Sequence, residues 1–238
     1  ALSIADKLDT IAGIFAIGLL PTGDKDPYGL RRAALGVLRI LMEQKLDIDL
    51  NELISAAVNQ IKLDINHEEV TNQIRQFIFE RLRNYYADKS VSSDLFDAVY
   101  SCSPGKLTDF DQRIQACSEF MELPEAESLS AANKRVRNIL KKVEGDLPSQ
   151  VDPSLLQEDS EKALFDSLQT ITETVTPLID QRDYATALKK LANLREVVDN
   201  FFDNVMVMCE GPKIQANRLT LLKNMADLFI RIADISRL

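Results

Sequence analysis

The sequence predicts an all-α protein, a multi-helix chain with two or more helical domains. Apolar residues recur with a period near 3.6 almost throughout, and period-2 alternation is nearly absent. Eight Gly and eight Pro in 238 residues are too few for a many-turned β fold. At roughly 100–200 residues per domain, the length allows one or two domains and part of a third. It also suffices for a core without disulfides or metals.

The first helix is expected over about 3–17, with Leu8, Ile11, Ala12 and Phe15 on one stripe and Gly18 after it. A polar loop follows, in which Asp26 then Pro27 reads as N-cap then first helical residue. That second helix runs to about 45. Asp49 with Glu52, and Asn66 with Glu69, resemble capping boxes that open helices of about 50–63 and 67–88. A short helix at about 93–101 stops before Pro104-Gly105, and Thr108 caps another at about 109–122. Leu123-Pro124 separates that one from a helix of about 125–143. Residues 144–157 hold two prolines and a glycine and form the clearest loop. Helices at about 158–180, 184–206 and 212–236 follow, the last two punctuated by Gly211-Pro212.

Charge and side-chain inventory exclude several function classes. The formal net charge is −9, and both halves of the chain are acidic, so a uniformly basic nucleic-acid coat is ruled out. Any RNA or DNA contact must come from a local patch. Cys102, Cys117 and Cys209 have no CxxC spacing and imply free thiols in a reducing compartment. With His67 as the only histidine, no histidine triad or two-histidine metal site can be built from this chain. No apolar run is long enough to span a membrane, and none is expected as a partner. The start, Ala1-Leu2-Ser3 running straight into helical periodicity, is expected of a piece of a longer protein.

The sharpest cluster is Ala132-Asn133-Lys134-Arg135-Val136-Arg137-Asn138-Ile139-Leu140-Lys141-Lys142, five cations and no acid inside an acidic protein. On a helix Lys134, Arg137 and Lys141 share one face, Arg135 and Lys142 a neighbouring stripe, while Val136, Ile139, Leu140 and Val143 point inward. This is either a phosphate-binding face or a solvated face whose last cations answer the helix dipole. A second concentration comprises Arg195, Phe201, Phe202, Asn217, Arg218, Lys223 and Arg231. Adjacent phenylalanines on a helix lie about 100° apart, so one is either near the surface, where it can stack on an unpaired base, or buried with its neighbour in a broad core. Asp6 and Asp9 lie at i, i+3 but make a poor metal site without further ligands. The Pro21–Pro27 loop is not a P-loop, although Lys25, Arg31 and Arg32 stand where an anion could meet a helix start. His67 and the interleaved Arg81-Leu82-Arg83 and Tyr85-Tyr86 fit core plus surface as well as any binding role.

Read as strings, the residues say more. Ile4-Ala5-Asp6-Lys7-Leu8-Asp9-Thr10, Leu20-Pro21-Thr22-Gly23-Asp24-Lys25-Asp26-Pro27, Phe79-Glu80-Arg81-Leu82-Arg83-Asn84-Tyr85-Tyr86, Asn133-Lys134-Arg135-Val136-Arg137-Asn138-Ile139 and Phe201-Phe202-Asp203-Asn204-Val205-Met206-Val207-Met208 resemble the beta subunit of bacterial glycyl-tRNA synthetases. The resemblance covers the whole chain in order. It implies a C-terminal fragment of a longer beta subunit, divided into the end of an HD-like helical domain (1–48), a helical linking domain (49–127) and a DALR-type anticodon-binding helical bundle (128–238). Asp6 would correspond to the late aspartate of the HD pattern, but the paired His-Asp is missing, so metal hydrolysis is not carried over.

The resemblance further implies a cytoplasmic subunit of glycine-tRNA ligase. Its partners would be tRNA-Gly, the alpha subunit and the rest of the beta subunit. ATP and Mg would be used by the alpha subunit, with no cofactor, metal ligand or catalytic residue in this chain. Expected tRNA-binding residues are Asn133, Lys134, Arg135, Arg137, Asn138, Lys141, Arg195, Phe202, Asn217 and Arg218. Lys and Arg would hold phosphates, whereas Asn133, Asn138, Asn217 and Arg218 are better suited to base edges. The alternatives are an RNA-free helical scaffold for subunit association and a remnant phosphohydrolase around Asp6.

Overall fold

The computed structural model describes residues 1–21, 26–143 and 145–238. Among them eleven α-helices and three 3-10 turns form and no β-strand, apart from an isolated bridge between Asp49 and Lys106. The chain divides into two compact units, Ala1–Phe96 with Pro104–Asp111, and Asp97–Ser103 with Gln112–Leu238.

The first unit holds α1 (Leu2–Ala16), α2 (Leu30–Glu43), α3 (Leu50–Asn59) and α4 (His67–Ala87). Helix α1 packs on the other three, so residues on both sides of position 48 share one core. Its seam is the expected stripe, Leu8, Ile11, Ala12 and Phe15, extended by Ile4, and Leu38, Ile54 and Phe77 of the other helices are buried with it. Phe15 and Phe77 contact edge to face at 5.2 Å.

Helix α2 starts later than Asp26-Pro27 predicts. Those residues form a turn, Gly29 takes the left-handed φ of +66°, and the first helical residue is Leu30. Asp26 still acts as a cap, its Oδ2 accepting from the Arg31 amide at 3.2 Å. Lys25 of the anion-site expectation lies outside the described residues. Asp49 and Asn66 are the N-caps of α3 and α4, Asp49 accepting from the Asn51 and Glu52 amides and Asn66 from the Glu69 amide. Among the described residues, the reciprocal Glu52 and Glu69 side-chain bonds of the expected capping boxes do not form. Gly105 is required beside Asp49: a Cβ there would lie 2.0 Å from Asp49 Oδ2, and the Gly105 carbonyl accepts from the Leu50 amide.

Helices α5 (Ser93–Tyr100) and α6 (Leu107–Met121) give their early residues to the first unit and the rest to the second. In the first unit Tyr86, Phe96 and Phe110 form an aromatic cluster, and the Tyr86 hydroxyl donates to Asp111 at 2.9 Å. Arg83 covers Phe96 and Arg81 covers Phe77, so the basic–aromatic interleave serves packing.

The second unit contains α7 (Ala126–Leu140), α8 (Asp159–Asp180), α9 (Tyr184–Leu191), α10 (Arg195–Asn204) and α11 (Pro212–Ile230). The helix expected over 184–206 is interrupted by a 3-10 turn at Ala192–Leu194. The last helix ends at Ile230 rather than near 236, because the Ile232 and Ala233 amides both fold back to the Phe229 carbonyl and the Asp234 amide donates to Ala98 O. Arg113 fixes this end by donating to the Arg231 and Ile232 carbonyls while stacking on Tyr184. Helix α7 packs on α10, α11 and the closing 3-10 turn Ile235–Arg237.

Candidate nucleic-acid interface

Helix α7 is where the chain concentrates positive charge. Leu129, Ala132, Asn133 and Val136 bury one face, which leaves Lys134 and Arg135 to face outward. Lys134, Arg135, Asn138, Lys141 and Lys142 are exposed. Lys141 and Lys142 sit at the helix C-terminus, where backbone carbonyls favour cations.

Arg135 and Phe202 are brought together. The guanidinium carbon lies 4.3 Å from the centroid of the Phe202 ring. Phe201 is fully buried and Phe202 half-buried, meeting it edge to face, so the phenylalanine pair divides between core and surface. The surface one is not bare. Its ring supports Arg135, whose planar guanidinium is itself a stacking platform for an unpaired base.

Arg137 is half-exposed and anchored. Its Nη1 donates to Ser236 Oγ at 3.1 Å and pairs with Asp234 Oδ2. Asp234 is buried and also accepts from Arg237 Nε at 3.0 Å and from Ser236 Oγ at 2.6 Å. Beside this network a cleft of about 460 Å³ opens between α7, α11 and the closing turn. Asn133, Arg137 and Lys141 line it. Asn133 is buried against its own helix, donating Nδ2 to Leu129 O at 2.9 Å. Lys134 borders a different depression, with Met121, Ala131 and Leu238. The one-face expectation for Lys134, Arg137 and Lys141 therefore resolves into two adjoining hollows.

Three expected contact residues are placed elsewhere. Arg218 is buried, and its Nε and Nη2 donate to Glu161 at 2.7 and 3.2 Å while Nη1 donates to Met206 O at 2.9 Å. Burial pushes the Glu161 carboxyl up, but hydrogen bonds from Arg218 and the Glu158 and Gln157 amides outweigh it and leave its pKa lowered. Asn217 is buried too. Its Oδ1 accepts from the Asp152 amide at 2.7 Å, and its Nδ2 donates to Asp152 O at 3.0 Å. Both side chains spend their directional bonds inside the fold, so neither is a reader of base edges here. Arg195 is exposed but lies 3.5 Å from Asp199, in a hollow also lined by Glu125, Glu196 and Asp203. That carboxylate ring repels a polyanion.

The surface that remains is Lys134, Arg135, Asn138 and Lys141, with Lys142, Phe202 beneath Arg135, and the cleft edge at Asn133 and Arg137. Sequence reasoning missed Asp234, Ser236 and Arg237, which orient Arg137; they lie about a hundred residues away, and no local pattern marks them. Among the described residues, no group of three or more His, Cys, Asp or Glu is disposed to hold a metal, Asp6 and Asp9 included.

Residues 129–235, which carry this surface, match the DALR anticodon binding domain. Residues 1–101 match the glycyl-tRNA synthetase beta subunit family. Glycine–tRNA ligase beta subunits from Pseudomonas aeruginosa and Vibrio atlanticus are each 50% identical over all 238 residues, covering 35% and 34% of those proteins. One from Pseudomonas putida is 48% identical over the same span. Over its whole length the chain is similar to these glycine–tRNA ligase beta subunits, and it spans about a third of their length. Among the described residues, no helix is long and apolar enough to cross a membrane.

Proposed function

We propose that this chain recognises the anticodon region of tRNA-Gly through the exposed face of α7, as part of a beta subunit that works with an alpha subunit in ATP-dependent glycylation. The observation that carries the reading is the exposed set Lys134, Arg135, Asn138, Lys141 and Lys142 on the first helix of the matched DALR segment. The cations neutralise phosphates and position the loop. The Arg135–Phe202 stack offers a flat face for an unpaired base, and Asn138 offers an amide for a base edge. The net charge of −9 repels misplaced RNA and leaves this face as the favourable approach.

No residue of the chain is assigned a catalytic role. Adenylate formation, with its ATP and Mg, is assigned to the alpha subunit, and the setting to the cytoplasm.

The test replaces Lys134, Arg135 and Lys141 with Glu in the full-length beta subunit and measures tRNA-Gly binding against salt. At about 0.7 per single-strand phosphate contact, the slope of log K against log salt falls by roughly 2 units. Unchanged affinity and slope in a folded triple variant overturn the proposal. Equal binding of tRNA-Gly and a noncognate tRNA by the unmodified protein favours the RNA-free scaffold instead.

A further inference from the structure

The cleft beside Arg137 differs in chemistry from the cationic face next to it. Its floor is apolar, built from Phe229 and Ile235, both nearly inaccessible to solvent. Half-buried Leu140 and Ala226 and exposed Ile230 form the walls. Polar groups stand at the edges. Asp234 is neutralised by Arg137 and Arg237, and Asp227 by Lys223 at 2.5 Å. The remaining polar groups of the lining that bear on a ligand are Lys141 and the Asn133 amide. Asn133 has its Nδ2 committed to Leu129, which leaves Oδ1 as its acceptor.

An apolar slot of this size, with one oriented amide and cations at its mouth, suits a flat heteroaromatic ring carrying a nearby phosphate. A phosphate alone would gain nothing from Phe229 and Ile235. An apolar peptide would gain nothing from Arg137 and Lys141.

We infer that this cleft is a base pocket, which receives one unpaired nucleobase of the bound RNA while Arg137 and Lys141 hold its backbone. Asn133 accepts from an N–H on the base edge, and Asp234 positions Arg137 at the mouth. The pocket is continuous with the α7 face, because Lys141 belongs to both. The inference rests on the RNA-binding reading above and adds to it a buried site for a single base.

The experiment fills the cleft without touching any charge. Ala226→Trp is made in the full-length beta subunit, and Ile230→Trp serves as a second variant at an exposed wall position. Binding is measured for tRNA-Gly and for versions with a single abasic site at each anticodon-loop position. In the unmodified protein one abasic position weakens binding by roughly tenfold, the scale of one lost base stack. In Ala226→Trp and Ile230→Trp, intact tRNA binds about tenfold more weakly, that abasic position costs nothing further, and the salt slope is unchanged.

If every abasic position costs the same in the variants as in the unmodified protein, while the α7 charge reversals still change the slope, the base pocket is wrong and the RNA-binding reading stands. If charge reversal and cleft filling both leave binding unchanged, the RNA-binding reading has failed and the pocket falls with it. Should Ala226→Trp not fold, Ile230→Trp alone decides between these outcomes.

Discussion

Arg135 holds its guanidinium over Phe202, the central carbon 4.3 Å from the ring centroid, and so joins the cationic face of α7 to the half-buried member of the Phe201-Phe202 pair. The contact gives a long, entropically costly side chain a fixed plane. Phe202→Leu keeps apolar volume but removes the quadrupole. A double-mutant cycle of Arg135→Ala and Phe202→Leu in urea denaturation is expected to give a coupling of about 0.5–1 kcal/mol. A coupling of zero would mean that the stack is an accident of two neighbouring side chains.

The Glu161–Arg218 pair is expected to matter for stability alone. Arg218→Leu leaves a buried carboxylate without its partner and costs about 3–5 kcal/mol. Because the folded pKa of Glu161 is depressed, its contribution is fully present above the unfolded carboxylate value of about 4.3 and is lost as pH falls through that value towards the folded one. Urea midpoints from pH 7 to pH 3 check this: Glu161→Gln is destabilised at neutral pH and shows a shallower acid decline than the unmodified chain.

Asn217→Ala separates a structural amide from an RNA-reading one. It removes both partners of the Asp152 backbone, at an expected cost of about 1–3 kcal/mol. Limited proteolysis should cut the 144–157 connection faster, while tRNA affinity at a temperature where the variant is folded should stay within twofold. A large affinity loss in a fully folded variant would restore Asn217 as a contact residue.

Thiol chemistry tests the burial pattern of the second unit. Burial pushes the Cys117 thiol up to about 12 and raises that of Cys102 as well. Iodoacetamide at pH 8, read by mass spectrometry, is expected to leave Cys117 unmodified until the protein unfolds and to alkylate Cys102 more slowly than the same residue in denaturant. Rapid labelling of Cys117 in the native state would contradict its placement.

Gly105→Ala probes the Asp49 cap in the first unit. The new Cβ overlaps the Asp49 carboxylate, so the cap and the neighbouring bridge must give way together. A loss of about 1–2 kcal/mol is expected, the scale of a helix cap. Glu52→Ala at the same helix start should cost less, since its side chain plays no part in the described cap.

The helices were legible because one buried face at 3.6 spacing is written locally, as in Leu8, Ile11 and Phe15 of α1. The caps at Asp49 and Asn66 were legible for the same reason, each being a statement about three successive residues. Which cations face solvent was legible on α7, where Leu129 and Val136 fix the buried side. It was not legible for Arg218, whose partner Glu161 lies 57 residues away. A cue existed: Leu219, Leu221 and Leu222 cluster around the helix and imply that α11 is covered on more than one side there. The early end of α11 depends on hydrogen bonds from Arg113 and to Ala98, so no reading of 212–236 alone finds it.

The connection from 145 to 157 carries mostly exposed side chains, yet its backbone is sewn to α11 at two points, Pro148 O to Thr220 and Asp152 to Asn217. Letters in that stretch are therefore cheap to change, and their number is not. A substitution at Ser149 or Gln150 leaves both stitches in place, whereas removing a single residue between them puts one out of reach. Among related chains this strap should drift freely in spelling while keeping its span constant.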